Sequence, residues 1–162
     1  MSYSFRRSIW QAFDLGVHGM TQLTLAKAQT IIAAALALAR EKSLAPMAVV
    51  VLDARGVLKA YAAEEGTALR RADIAIGKAY GALSMGVGSR TLGKRAEERP
   101  HFIAAVTHAV GGSLIPVAGG VLIRGDDKSI IGAVGVTGDT SDNDEACALA
   151  GLVAAGLTAD PS

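Results

Sequence analysis

The sequence predicts an α+β domain, with an antiparallel sheet flanked by helices. Two observations carry this reading. Short β-branched runs come in adjacent pairs, 47–52 with 57–61 and 121–123 with 130–136, and polar, glycine-bearing inserts join each pair as in a hairpin. Segments with apolar residues every three or four positions lie before, between and after those pairs, and nothing repeats in the strand–crossover–strand manner that builds a parallel sheet. The order is helix, two strands, helix, loop, helix, two strands, helix.

Length and composition bound what such a chain can be. At 162 residues it suits one domain, able to bury ~70% of the surface its unfolded form exposes. We divide it into an N-terminal arm, residues 1–22, and a single domain, residues 23–162. A net charge of +1 leaves no basic footprint for nucleic acid or an anionic membrane. Hydrophobic residues make up 51% but aromatics only 4%, so the core is built of alanine, valine, leucine and isoleucine, which pack elements closely. The longest apolar stretch, 30–39, is half the ~20 residues of a membrane-spanning helix, and a soluble protein is expected. The single cysteine, Cys147, excludes an internal disulfide framework and reads as a buried structural residue.

In the arm, Arg6-Arg7 raises a twin-arginine export signal, but Gln11 and Asp14 interrupt the segment after it, so no export-type apolar region forms and cytoplasmic residence is expected. Trp10 and Phe13 read as docking the arm on the domain or a neighbouring subunit, and His18 as a solvated loop residue. Thr21 or Thr24 caps a first helix carrying Leu25, Ala28, Ile32, Ala35, Leu36 and Ala39, limited by Pro46. The first hairpin turns at Asp53-Ala54-Arg55-Gly56, where Asp53 bonds the turn backbone and Gly56 takes a positive φ. A second helix comes next, with Leu69, Ala72, Ile76, Ala79 and Leu83 as its expected buried stripe and Asp73 beside it as a partner for a cation. Gly77 and Gly81 would let another backbone approach, intersubunit packing being one use. Residues 86–100 read as a mobile basic loop, and Pro100 opens a short helix through His101, Phe102, Val106 and His108, ended by Gly111-Gly112.

The last third is the most heavily signalled. After the second hairpin, Thr140, Ser141 and Asp142 offer N-caps, Glu145 completes a capping-box spacing, and a helix over 142–156 is expected. Ala146, Leu149, Ala150, Val153 and Leu157 would form its apolar face, with Gly156 as the C′ glycine. Gly119-Gly120-Val121, then Ile131-Gly132-Ala133-Val134-Gly135-Val136-Thr137-Gly138, then Asp142-Asn143-Asp144-Glu145-Ala146 resemble the family of GlcG and the heme-binding protein HbpS, which includes the C-terminal domain of PduO. The resemblance spans roughly residues 23–157. It implies a profilin-like α-β sandwich, a homo-oligomer, and non-covalent binding of heme or a related tetrapyrrole.

The residues themselves leave the chemistry open. No phosphate loop, dinucleotide fingerprint, Cys-x-x-Cys-His attachment site or zinc arrangement occurs, so any heme is held non-covalently and no metal site is expected. His101 and His108 lie about 10.5 Å apart along a helix axis and cannot share one ion, though either could supply an axial imidazole. Arg90, Lys94 or Arg95 would pair with propionates. We read Asp142, Asp144 and Glu145 as helix-capping carboxylates and leave Asp139 as a residue that could face a cleft. The expected ligand site comprises Arg90, Lys94, His101, His108, Gly119, Gly120, Gly138 and Asp139. Two alternatives stand beside a heme or tetrapyrrole carrier, sensor or degradation accessory. One is a cofactor-independent enzyme acting on a small organic acid, with Arg90 holding a carboxylate and Asp139 or His108 moving a proton. The other is an oligomeric scaffold or regulatory subunit.

Overall fold

The structure, a computed structural model, describes residues 22–162. The readings on Arg6-Arg7, Trp10, Phe13 and His18 lie outside the described residues. Ten elements run in order through the described residues. They are α1 (Leu25–Glu41), β1 (Ala48–Asp53), β2 (Leu58–Ala63), α2 (Arg71–Met85), α3 (Ser89–Glu98), α4 (Pro100–Ala109), β3 (Gly120–Arg124), β4 (Ile130–Thr137), α5 (Ser141–Ala154) and β5 (Thr158–Asp160). Among the described residues no helix is long and apolar enough to cross a membrane.

The strands form one sheet in the order β2-β1-β4-β3-β5, every pairing antiparallel. Both expected hairpins form, and Asp53 Oδ1 accepts from the Arg55 and Val57 amides while Gly56 has φ +76°. The two hairpins join through β1 and β4, from Ala48 opposite Thr137 to Asp53 opposite Gly132. Because strand side chains alternate, the central strands serve two cores. Val49, Val51, Val121, Ile123, Val134 and Val136 face α1 and α5. Val50, Leu52, Leu122 and Ala133 face α2. A sheet covered on both faces explains why these strands read as continuous apolar runs. The edge strand β5 was not legible in Thr158-Ala159-Asp160; its pairing with β3 and the Arg124 Nε to Asp160 Oδ2 contact at 2.7 Å hold it.

Three expectations are corrected. The 86–100 loop is mostly the helix α3, which buries Leu92 completely against Ile103 of α4 and Leu114. Gly86 is the left-handed C-cap of α2, and Gly88 and Gly93 mark close backbone contacts, as where the Gly88 amide donates to Ser162 O at 2.6 Å. The buried side of α2 is Ala75, Lys78, Ala79 and Ala82 with Gly77 and Gly81, while Leu69 is 93% exposed and precedes the helix. Asp73 pairs with exposed Arg70 at 2.8 Å. Gly77 and Gly81 receive Ile115 and Leu114 of the same chain, so their small size serves an internal contact. Likewise α5 buries Asp144, Cys147, Ala148, Gly151 and Leu152, and Val153 is 76% exposed. Beside Lys78 and Leu152, the inward faces of both helices are mostly small side chains, since backbones must approach: a Cβ on Gly135 of β4 would collide with the Ala75 carbonyl, and one on Gly151 would come 2.5 Å from Ile31 O. Of the expected stripes, Ala79 and Leu157 are buried and Ile76, Leu83 and Leu149 pack at the core margins, whereas Leu69 and Val153 are exposed.

At its ends α5 behaves as its sequence promises. Thr140 accepts from the Asn143 amide, and Gly156, at φ +63°, lets the Leu157 amide reach back to Leu152 O at 3.0 Å, a Schellman closure.

Candidate ligand site at the α3 and α5 N-termini

The polar centre begins with a lysine that helix α2 carries on its inward, small-residue side. Lys78 is 2% exposed, and its Nζ donates to Asp144 Oδ2 at 2.6 Å and to Val136 O at 3.0 Å. Asp144 Oδ1 accepts from the Asp139 amide at 3.1 Å. Room for this pair comes from Gly119, whose φ of +116° favours glycine and where a Cβ would stand 2.9 Å from Lys78 Nζ. Burial pushes the lysine down and the aspartate up from their ordinary values, and each partner opposes that shift in the other. Ser89, the first residue of α3, is also buried and accepts the Gly120 amide at 2.7 Å.

The next residue, Arg90, crosses to α5. Its Nε donates to Glu145 Oε1 at 2.8 Å and its Nη2 to Asp142 Oδ1 at 2.5 Å. The hydrogen bonds it donates to Asp142 and then Glu145 raise the guanidinium's pKa, so it stays charged. Glu145 Oε2 is buried with no hydrogen-bond partner among the described residues, so Arg90 is the principal compensation for that carboxylate. Asp142, Asp144 and Glu145 are thus committed to Arg90 and Lys78, and the hydroxyl of Thr140 does the capping assigned to them from sequence.

Beside this clasp lies a cleft of about 480 Å³, within the range of small-molecule sites. One wall is α3, with Arg90, Lys94 and Glu97 as its charged groups; the facing wall is Pro116, Val117 and Ala118, and Asp142 closes the end. Lys94 is exposed and has no ion-pair partner among the described residues. The cleft thus sets two cations and two carboxylates beside an apolar wall, and with Arg90 engaged by Asp142 and Glu145, Lys94 is the cation it offers to a ligand.

Of the expected site residues, Arg90 and Lys94 line the cleft. Gly119, Gly120 and Gly138 are buried and take up internal contacts, the last against Pro46 O and Met47 Sδ. Asp139 binds the Ala45 and Thr140 amides and Asn143 Nδ2, tying the start of β1 to the start of α5, and these bonds lower its pKa to about 2. It stands outside the cleft lining. His101 and His108 are exposed on α4, whose inward residue is Ile103, and stand outside the cleft lining. Cys147 is fully buried, and burial pushes its thiol up, consistent with a structural role. Among the described residues no group of three or more His, Cys, Asp and Glu is placed to hold a metal ion.

Sequence reasoning missed Lys78, Asp144 as its partner, Ser89 and the 116–118 wall. The available signal was a lysine inside Ile76-Gly77-Lys78-Ala79, a run otherwise made of small and apolar residues. A charge on such a face has to find a buried partner.

A five-stranded antiparallel sheet with α1 and α5 on one face and α2 on the other is a profilin-like α-β sandwich, here with one open cleft at its helical edge. The chain belongs to the family described as "Haem degrading protein HbpS-like", which it matches over residues 23–153. The fold is shared with several solved structures. Protein ORFY of Klebsiella pneumoniae is 25% identical with a TM-score of 0.75, covering 84% of this chain and 92% of that one. A double mutant of HbpS from Streptomyces reticuli is 27% identical with a TM-score of 0.70, covering 82% and 86%. PduOC, solved as a heme complex, is 20% identical with a TM-score of 0.76, covering 85% and 98%, and shows the fold alone. A comparison with curated proteins yields no match.

Proposed function

We propose that this protein binds heme or a related tetrapyrrole non-covalently in the α3 cleft, as a carrier, sensor or degradation accessory. The observation that carries the reading is the cleft itself, in a chain of the HbpS-like family: the apolar wall 116–118 suits the face of a macrocycle, and Lys94 suits a carboxylate at its edge. PduOC, of the same fold, is known as a heme complex, which adds support for the ligand class. The cleft fits the organic part of heme; among the described residues its lining holds no His, Cys, Met or Tyr to ligate iron.

The proposal includes cytoplasmic residence and a homo-oligomer. Light scattering that reports a monomer at micromolar concentration removes the latter part.

Hemin titration of the full chain tests the main claim. Saturable binding at one equivalent per subunit is expected, with a sharpened Soret band. Lys94→Glu, which breaks no ion pair within the described residues, should weaken binding about three- to tenfold without moving the band. Absence of saturable binding sinks the heme reading, and native-like binding by Lys94→Glu and Arg90→Lys together moves the site out of this cleft.

A further inference from the structure

Resting on the α3 cleft as the ligand site, we infer that residues 160–162 are a strap that positions α3, and with it the two cations of the cleft wall, Arg90 and Lys94. The helix has little of its own to hold it against the sheet. Ser89 and Leu92 are its buried residues, and Leu92 packs with Ile103 of α4 and with Leu114. Its place is instead set at its start, where neighbouring residues are each joined to a different segment. The Gly88 amide donates to Ser162 O at 2.6 Å, Ser89 Oγ accepts from the Gly120 amide at 2.7 Å, and Arg90 pairs with Asp142 and Glu145 of α5.

The strap is itself anchored to β3. Asp160 pairs with Leu122 in the sheet, its Oδ2 accepts from Arg124 Nε at 2.7 Å, and its Oδ1 accepts from the Ser162 amide at 3.2 Å and the Ser162 hydroxyl at 2.6 Å. Strand β3 therefore grips α3 twice, directly at Gly120 and again through β5 and the strap. Gly88 records how close the second grip is. Its φ of −63° and ψ of 154° are open to any residue, yet an added Cβ would run into the Pro161 carbonyl. The strap, and not the backbone conformation, requires glycine there. On the far side of the cleft, a Cβ on Gly93 would stand 3.1 Å from Pro116 O, so a small shift of α3 changes its distance to the facing wall. Binding groups are held in place by such supporting contacts, and loosening them costs affinity without touching the ligand.

Amide hydrogen exchange reads α3 without any ligand. In a chain ending at Asp160, and in full-length Gly88→Ala, α3 should exchange at least about tenfold faster while β1 and β4, which report global opening, stay as in the native chain. Ser162→Ala keeps the main-chain carbonyl and should exchange within about twofold of native. Gly88→Ala made in the chain ending at Asp160 should add less than about twofold to the truncation, because the carbonyl it strikes is gone. Hemin affinity should fall about three- to tenfold in the two loosened chains and stay native in Ser162→Ala. Native-like exchange of α3 in full-length Gly88→Ala overturns the inference, as does an equal effect of Gly88→Ala in both chains. Hemin affinity that stays native while α3 exchange rises also overturns it. A native chain that binds no hemin overturns the heme reading instead, and the exchange of α3 then decides the strap by itself.

Discussion

Replacing Lys78 by methionine removes one charge from a pair in which both side chains are 2% exposed. Asp144 would keep a single donor, the Asp139 amide at 3.1 Å, for a carboxylate with almost no access to water. Leaving one member of a buried pair behind costs ~3–5 kcal/mol, a large share of the ~5–15 kcal/mol by which a domain is usually stable. Asp144→Asn alone strands the ammonium and should cost a similar amount. The double variant should behave differently. Burial already drives both groups toward their neutral forms, so their mutual attraction does not outweigh desolvation, and removing both charges recovers most of the loss. The asparagine oxygen still accepts the Asp139 amide. Lys78→Met/Asp144→Asn is therefore expected within ~1 kcal/mol of the native protein, with a coupling energy of at least ~2 kcal/mol in the cycle. Urea unfolding followed by far-ultraviolet circular dichroism measures all four corners. Single variants that each lose less than ~1 kcal/mol, or a double variant as unstable as the two losses added, would refute the reasoning. Should Lys78→Met fail to fold, the double variant alone decides, since it has to fold.

Gly135→Ala drives a Cβ into the Ala75 carbonyl and to 3.1 Å from the Ala79 Cβ, so α2 has to move off the sheet. A fall in thermal midpoint of roughly 5 °C or more is expected, and an unchanged midpoint would show that α2 is less closely seated. Asp139 is a carboxylate whose folded pKa, about 2, lies below its ordinary 3.8 because three donors bind its charged form. Its stabilising contribution is complete above pH 3.8 and is lost as pH falls toward about 2. Asp139→Asn should be less stable at neutral pH and lose less stability across that acid window; equal acid slopes in the two proteins would show that the carboxylate is not held as described.

The sequence by itself determined the elements whose signals are local. Both hairpins are legible because Asp53, Gly56 and the 124–129 insert carry turn chemistry within a few residues, and the start and stop of α5 are set by Thr140 and Gly156. The antiparallel character of the sheet came from the absence of crossovers, and Arg90 and Lys94 were found because exposed cations in a run stand out in any context. The features that only the tertiary structure decided depend on partners far along the chain. The inward faces of α2 and α5 are lined largely with alanine, glycine and cysteine because backbones close to contact there, so apolar bulk such as Leu69 and Val153 is a poor guide to which side is buried. A loop-like composition over 86–100 became α3 once Leu92 found Ile103 and Leu114. Three acidic residues that looked like caps became the counterions of Arg90 and Lys78, 52 to 66 residues away in sequence. Spacing within a segment reports hydrogen bonds the segment makes with itself; whether a carboxylate caps its own helix or neutralises a distant cation is set by which side chains the folded sheet brings within reach.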